Sequence, residues 1–341
     1  MPCDEPLPPD QPRSTGTAAA DVAARAVIAA YTRAYPGRVR GYFALGSFAD
    51  ASAVATSDLD ITVVFKGAIS AEERVSAGLL ASDCARQCSI ELDIELADEQ
   101  TLARGASPNF KLGSALIAGE DIRERLPLLS LTDWTRDRMH SSWWRVARLF
   151  ARPDIVTLPL DYPEPADLFR GYTRRKVRLA SGVEAPSTRD LIRLTGWAAT
   201  ALLALQCGSY VTRKSEAHRV YRERIGGKSA ALIEKVYTLC RQRWGYLIPD
   251  DPAERAQLRD ICDRTLTFER SFVSTYRAYL LTELRGSDTD GVRFAAEVMN
   301  RAPLRDAAVL AELRLLARRG DGVVEPLARS ALARLRQPID A

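Results

Sequence analysis

The sequence predicts an α+β chain in which a small mixed-sheet domain precedes an all-α helical bundle. Three observations carry this. Short β-branched or alternating runs at residues 42–45, 61–65 and 89–97 lie among helical patterns in the first 150 residues. Residues 152–165 hold four prolines and almost no periodicity, the mark of a linker. From Ala166 onward the apolar spacing is helical throughout. At 341 residues the chain exceeds one ordinary core, so two domains are expected.

The elements follow in order. Residues 1–18, proline-rich and polar with no apolar leader, read as a disordered arm. Val22, Ala23, Val27, Ile28 and Tyr31 recur at helical spacing and stop at Pro36-Gly37, giving a helix that backs the first strand. The strand at 42–45 delivers Gly46-Ser47, and ten residues later Asp58-Leu59-Asp60 opens the strand at 61–65. Side chains two apart on a strand share a face, so Asp58 and Asp60 converge while Leu59 turns to the core. Paired carboxylates repel unless a cation sits between them, and Mg²⁺ is a hard cation held by carboxylates together with substrate phosphates. Gly46 lets backbone approach a ligand closely, and Ser47 offers a hydroxyl and an N–H to an anion.

Ser70-Ala-Glu-Glu is a capping-box start for a helix to about Arg86. Alternation over 89–97 then places Ile90, Leu92, Ile94 and Leu96 on one face and Glu91, Asp93 and Glu95 on the other. A short helix after 99, a loop at 107–109 and a strand at 115–117 close the first domain; a helix over 133–150 follows, with Trp134, Trp143 and Trp144 read chiefly as packing. The second domain reads as helices at 166–180, 187–207, 213–225, 228–243 and 252–285. The divisions are an arm (1–18), a sheet domain (19–150), a linker (151–165), a helical domain (166–285) and a C-terminal helical extension (286–341).

Gly46-Ser47, ten residues, then Asp58-x-Asp60 between two apolar strands resembles the signature of the nucleotidyltransferase superfamily that includes DNA polymerase β. Within it the stretch is most similar to the streptomycin/spectinomycin adenylyltransferases and to the minimal nucleotidyltransferases of toxin–antitoxin systems. It departs from a common family form at Ala51, where Gly often sits, and at Asp50, where many members carry Arg. The resemblance implies two Mg²⁺ ions on Asp58, Asp60 and a third carboxylate from the neighbouring strand. The minimal enzymes nominate Asp93 for that place and the streptomycin adenylyltransferases nominate Glu91; motif spacing favours Asp93, with the other acid free to act as base. It also implies nucleotide contacts from Gly46 and Ser47, from Lys214 or Arg213 in the segment 208–217, and from Trp244. The family's Arg in the preceding helix has no counterpart near Thr200 and Ala201, leaving Arg193 or Arg189 as substitutes.

The activity so implied is transfer of AMP from ATP to a hydroxyl of a small-molecule acceptor such as an aminoglycoside-like antibiotic, with loss of pyrophosphate. The alternatives are a toxin-type enzyme acting on tRNA or on a protein, and a catalytically idle nucleotide-binding module; the intact Asp58/Asp60 pair argues against the last. Residues 166–246 carry sixteen Lys/Arg against six Asp/Glu, which reads either as a nucleic-acid footprint or as a solvated arginine-rich face. Six cysteines without a CxxC pair and only two histidines disfavour zinc and point to reduced thiols in the cytoplasm. The longest apolar stretch, 197–211, is too short and too interrupted to span a bilayer.

Overall fold

The computed structural model describes residues 7–9, 11–179 and 181–336. The elements are α1 (Ala18–Ala34), β1 (Val39–Leu45), β2 (Leu59–Phe65), α2 (Ala71–Gln87), β3 (Leu92–Asp98), α3 (Glu99–Leu102), α4 (Pro108–Gly113), β4 (Ala115–Gly119), α5 (Leu131–Arg148) and β5 (Val156–Thr157). They continue with β6 (Lys176–Arg178), β7 (Glu184–Pro186), α6 (Arg189–Cys207), α7 (Lys214–Arg224), α8 (Gly227–Lys235), α9 (Pro252–Arg285), α10 (Thr289–Arg301), β8 (Leu304–Arg305), α11 (Ala307–Leu316) and α12 (Val324–Leu335). The fold is therefore mixed α and β, with one small mixed sheet and a largely helical remainder.

Two compact units divide the chain. The first comprises Met1–Trp134, Lys176–Ala185 and Tyr210–Ala217; the second comprises Thr135–Arg175, Pro186–Ser209 and His218–Ala341. The boundary falls ahead of most of α5, so that helix belongs with the helical unit and not with the sheet.

In the first unit the four-stranded sheet runs β3-β2-β1-β4, with β1 antiparallel to both β2 and β4 and β2 parallel to β3. The parallel step is made through α2, whose start carries the expected reciprocal cap between Ser70 and Glu73. Strand β2 is covered on both faces. Leu59, Ile61, Val63 and Phe65 pack with Val27, Ile28, Tyr31 and Ala77 of α1 and α2, while Val64 joins Phe43, Phe110 and Leu116 on the other side. Of its seven residues only Asp60 escapes full burial.

Part of the proline-rich arm is ordered against this sheet. Leu7 exchanges two hydrogen bonds with Gly119 (2.9 and 2.7 Å), and Arg13 N–H donates to Ile117 O at 2.8 Å. The edge strand β4 offers unpaired backbone groups, and an extended segment satisfies them. The remainder of the expected arm, residues 1–6 and 10, lies outside the described residues.

The chain beyond residue 150 departs from the sequence reading at two places. The helix expected over 166–180 is replaced by turns and the β6–β7 ribbon. Asp167 accepts the N–H groups of Phe169 (2.9 Å) and Gly171 (3.0 Å), and Arg170 and Gly171 both adopt positive φ (59° and 82°), which no α-helix accommodates. Residues 151–165 are not a free linker either, since Val156 and Thr157 pair with Leu304 and Arg305, and Arg152 meets Glu269 at 2.7 Å. The C-terminal extension is thereby part of the helical unit. Trp143 Nε1 donates to Ala302 O (2.9 Å), and Arg136 bridges Glu283 and Asp288.

Trp134 and Trp143 are fully buried and Trp144 is exposed. The cysteines among the described residues, Cys84, Cys88, Cys207, Cys240 and Cys262, are free thiols; Cys3 lies outside them. No described helix is long and apolar enough to cross a membrane.

Candidate active site

The turn after β1 is built on a glycine for two reasons. Gly46 has φ of 62°, and a Cβ there would lie 3.0 Å from Asp60 Oδ2. The chain then makes a single 3₁₀ turn, Gly46–Phe48, and Ser52 N–H closes back onto Ser47 O at 2.9 Å. Asp50 holds this loop together. Its Oδ1 accepts both the N–H (3.1 Å) and the hydroxyl of Ser52, and its Oδ2 accepts the Ser215 hydroxyl at 2.8 Å.

Ala51, at the place where the family form often has Gly, has φ of 55°. A left-handed residue with a Cβ costs roughly 1–2 kcal/mol, partly offset by the lower unfolded-state entropy of alanine. Ala51→Gly is expected to stabilise the protein by about 0.5–1 kcal/mol in urea denaturation. A loss of stability would contradict the left-handed backbone at this residue.

The register of the parallel pair decides which carboxylates meet. Asp60 of β2 is the direct partner of Asp93 of β3, so the two side chains stand on one sheet face about 5 Å apart at the backbone. It is the face shared with Phe43 and Val64. Glu95 pairs with Thr62, one pleat further along. Asp58 and Glu91 each sit just ahead of their strands, and the Leu59 N–H donates to Glu91 O at 2.9 Å, carrying the alignment of the two chains beyond β3. Asp58, Asp60 and Glu91 are half-buried and Asp93 is exposed.

Among the described residues no three His, Cys, Asp or Glu side chains close into a metal-holding group by themselves. Asp58, Asp60 and Asp93 are hard oxygen donors at the open end of two strands. Such a set fits Mg²⁺, which takes one or two carboxylates and completes its octahedron with water and substrate phosphates, and does not fit the closed sites of zinc.

The segment 210–217 belongs to the same unit as these carboxylates. Tyr210 Oη donates to Leu129 O at 2.8 Å, a Cβ on Gly113 would meet Thr212 at 3.2 Å, and Ser215 bonds Asp50. These contacts bring the start of α7 against the Gly46–Ser52 loop. Lys214 opens that helix, and its side chain lies outside what is described. Arg213 is exposed, with Glu216 at 3.7 Å. Ser215 went unrecognised in the sequence. Its only local signal is a hydroxyl in the first turn of a helix, and its partner is 165 residues away.

Trp244 ends a π-helical stretch, Val236–Arg243, in the second unit and is only 8% exposed. Arg189 and Arg193 also belong to the second unit; Arg189 is buried over the Tyr246 ring, and Arg193 lies 3.9 Å from Asp190. Part of the basic excess of residues 166–246 is matched by carboxylates from outside that stretch: Arg170 with Asp263, Arg174 with Glu164, Lys235 with Asp260 and Arg243 with Glu254. These half-exposed pairs contribute little stability, yet they remove charge from any nucleic-acid footprint.

No protein-family model matches the chain, and no curated protein matches it.

Proposed function

We propose that the first unit is a Mg²⁺-dependent nucleotidyltransferase site that moves AMP from ATP to a hydroxyl of a small-molecule acceptor, an aminoglycoside-like antibiotic or related metabolite. The observation that carries the reading is the in-register pairing of Asp60 with Asp93 beside a glycine turn whose Gly46 abuts the Asp60 carboxylate.

Asp58, Asp60 and Asp93 would hold the ions. Bound there, Mg²⁺ supplies charge neutralisation for the triphosphate and a more acidic acceptor hydroxyl. Gly46 and Ser47 present a tight backbone turn and a hydroxyl to phosphate oxygens, and Lys214 and Arg213 supply cations from the start of α7. Glu91, just ahead of β3, is the carboxylate left to accept the acceptor's proton. The acceptor oxygen forms a bond to the α-phosphorus, the bond to the β-phosphate oxygen breaks, and pyrophosphate leaves with its electron pair.

The test offers each of the four NTPs, labelled at the α-phosphate, with Mg²⁺ to an aminoglycoside panel and, separately, to total tRNA. The expected result is Mg²⁺-dependent label transfer from ATP to a small molecule. Label in the RNA would retain the chemistry and change the acceptor. No transfer to either class would overturn the small-molecule reading.

A further inference from the structure

The two C-terminal helices carry a cleft that the proposed transfer site does not use. Helices α11 and α12 pack against one another within the second unit. Arg314, Ala317 and Arg318, on α11 and the turn that ends it, stand at i, i+3 and i+4 and so share one face. On α12 and its cap, Arg329, Leu332, Ala333 and Arg336 stand at i, i+3, i+4 and i+7 and share another. These two faces line a single cleft of about 350 Å³. Each helix puts arginine at both ends of its set and apolar residues between, so four guanidinium arms bracket a floor of Ala317, Leu332 and Ala333.

The charges round this floor are mostly unmatched. Arg329 meets Glu325 at 2.6 Å. Arg314, Arg318 and Arg336 make no ion pair and no side-chain hydrogen bond among the described residues, and all are exposed. A cation near a helix C-terminus is favoured by the carbonyls there, and Arg334 already serves α12 in that way. The dipole does not account for three unpaired guanidinium groups lining one cleft, where like charges repel unless an anion lies among them.

We propose that this cleft binds a small diphosphate ester, its phosphoryl groups on Arg314, Arg318 and Arg336 and its apolar or aromatic body on the floor of Ala317, Leu332 and Ala333. The size is that of a small-ligand site, near the lower end of the range of about 300–1,000 Å³. A guanidinium fork matches carboxylate and phosphate alike, but neutralising three forks with carboxylates takes three separate groups. A diphosphate brings about three negative charges in one compact chain, about two of them on its terminal group. The alanines keep the floor low enough to admit a body, and Leu332 gives it an apolar surface. The inference stands on residues of the second unit alone and does not depend on nucleotidyl transfer by the first.

The test titrates the full chain calorimetrically in Mg²⁺-free buffer at constant ionic strength with pyrophosphate, ADP and geranyl diphosphate. At least one ester is expected to bind wild type more tightly than pyrophosphate does; ADP ahead would assign an aromatic body, and geranyl diphosphate an aliphatic one. Arg318→Gln/Arg336→Gln is expected to bind all three at least about tenfold more weakly, a difference of about 1.4 kcal/mol. Ala333→Leu keeps every charge and fills the floor, so it should weaken the tighter ester at least about fivefold and leave pyrophosphate within about twofold. All these positions are exposed or capping, and each variant is expected to melt within about 4 °C of wild type without ligand. Should the double variant melt far below that, wild type and Ala333→Leu decide alone. The proposal is overturned by no binding to wild type, by equal binding to the double variant when folded, or by an ester whose affinity survives Ala333→Leu, which would mean adventitious attraction to open arginines. Binding lost in Asp60→Asn and kept in the double variant would place the ligand in the first unit and would also overturn it.

Discussion

Asp60→Asn is expected to lower nucleotidyl transfer by at least about a hundredfold while leaving the fold intact. The substitution keeps the side-chain volume where β2 meets Gly46 and removes only the charge. Several kcal/mol of transition-state stabilisation from a metal site corresponds to two or more powers of ten in rate. The stability expectation has the opposite sign. Asp60 and Asp93 are direct partners across a parallel pair, and like charges so placed repel; removing one is worth about 0.2–1 kcal/mol in metal-free buffer. Mg²⁺ should therefore raise the melting midpoint of wild type and leave that of Asp60→Asn almost unmoved. Transfer within a few-fold of wild type, or equal Mg²⁺ stabilisation of both proteins, would sink the metal assignment.

What makes that experiment specific is a register that sequence alone does not contain. Parity along 89–97 was enough to place Asp93 and Glu95 on one face, because a strand has only two faces and the apolar residues claim one. Which of those acids stands beside Asp60 depends on where β3 docks along β2. That is fixed by α2 and its connections, a matter of tertiary packing. The cap at Ser70, by contrast, was legible because both halves of the bond lie within four residues.

The same distinction explains the misplaced elements. Leu168, Phe169 and Tyr172 have helical spacing, yet the carboxylate of Asp167 ties up the backbone N–H groups a helix would need. The prolines of 151–165 read as an unpaired linker, while β5 finds its partner in β8 nearly 150 residues later. The return of 210–217 to the sheet unit is carried by Tyr210, Thr212 and Ser215, three side chains whose partners are all distant in sequence. Local chemistry is readable from a sequence, and long-range pairing of single polar groups is not.

The largest stability effect is expected inside the helical unit, at a carboxylate unrelated to the transfer site. Glu269 is wholly buried in α9; Arg152 reaches its Oε2 at 2.7 Å and Tyr172 Oη donates to the same oxygen at 2.5 Å. Its Oε1 and the Arg152 Nε have no hydrogen-bond partner among the described residues. Burial raises the Glu269 pKa above the usual carboxylate value, with Arg152 and Tyr172 opposing the shift. Arg152→Leu removes the one counter-charge that Glu269 has among the described residues and should cost about 3–5 kcal/mol at pH 7, measured by urea denaturation. The cost should depend on pH in one direction. A carboxyl whose pKa is raised on folding favours the native state most below its unfolded value, and that advantage is lost as pH rises through the folded value. Without Arg152 the folded pKa climbs further, so the deficit should shrink as pH falls toward 4.5, where Glu269 can enter the core neutral. Adding Glu269→Leu to Arg152→Leu removes the stranded charge and should recover most of the loss at pH 7, leaving the Tyr172 hydroxyl to account for about 1–3 kcal/mol. A deficit that stays constant across this range would mean that Arg152 acts through packing and its hydrogen bond to Asp161 O, and not through the charge of Glu269.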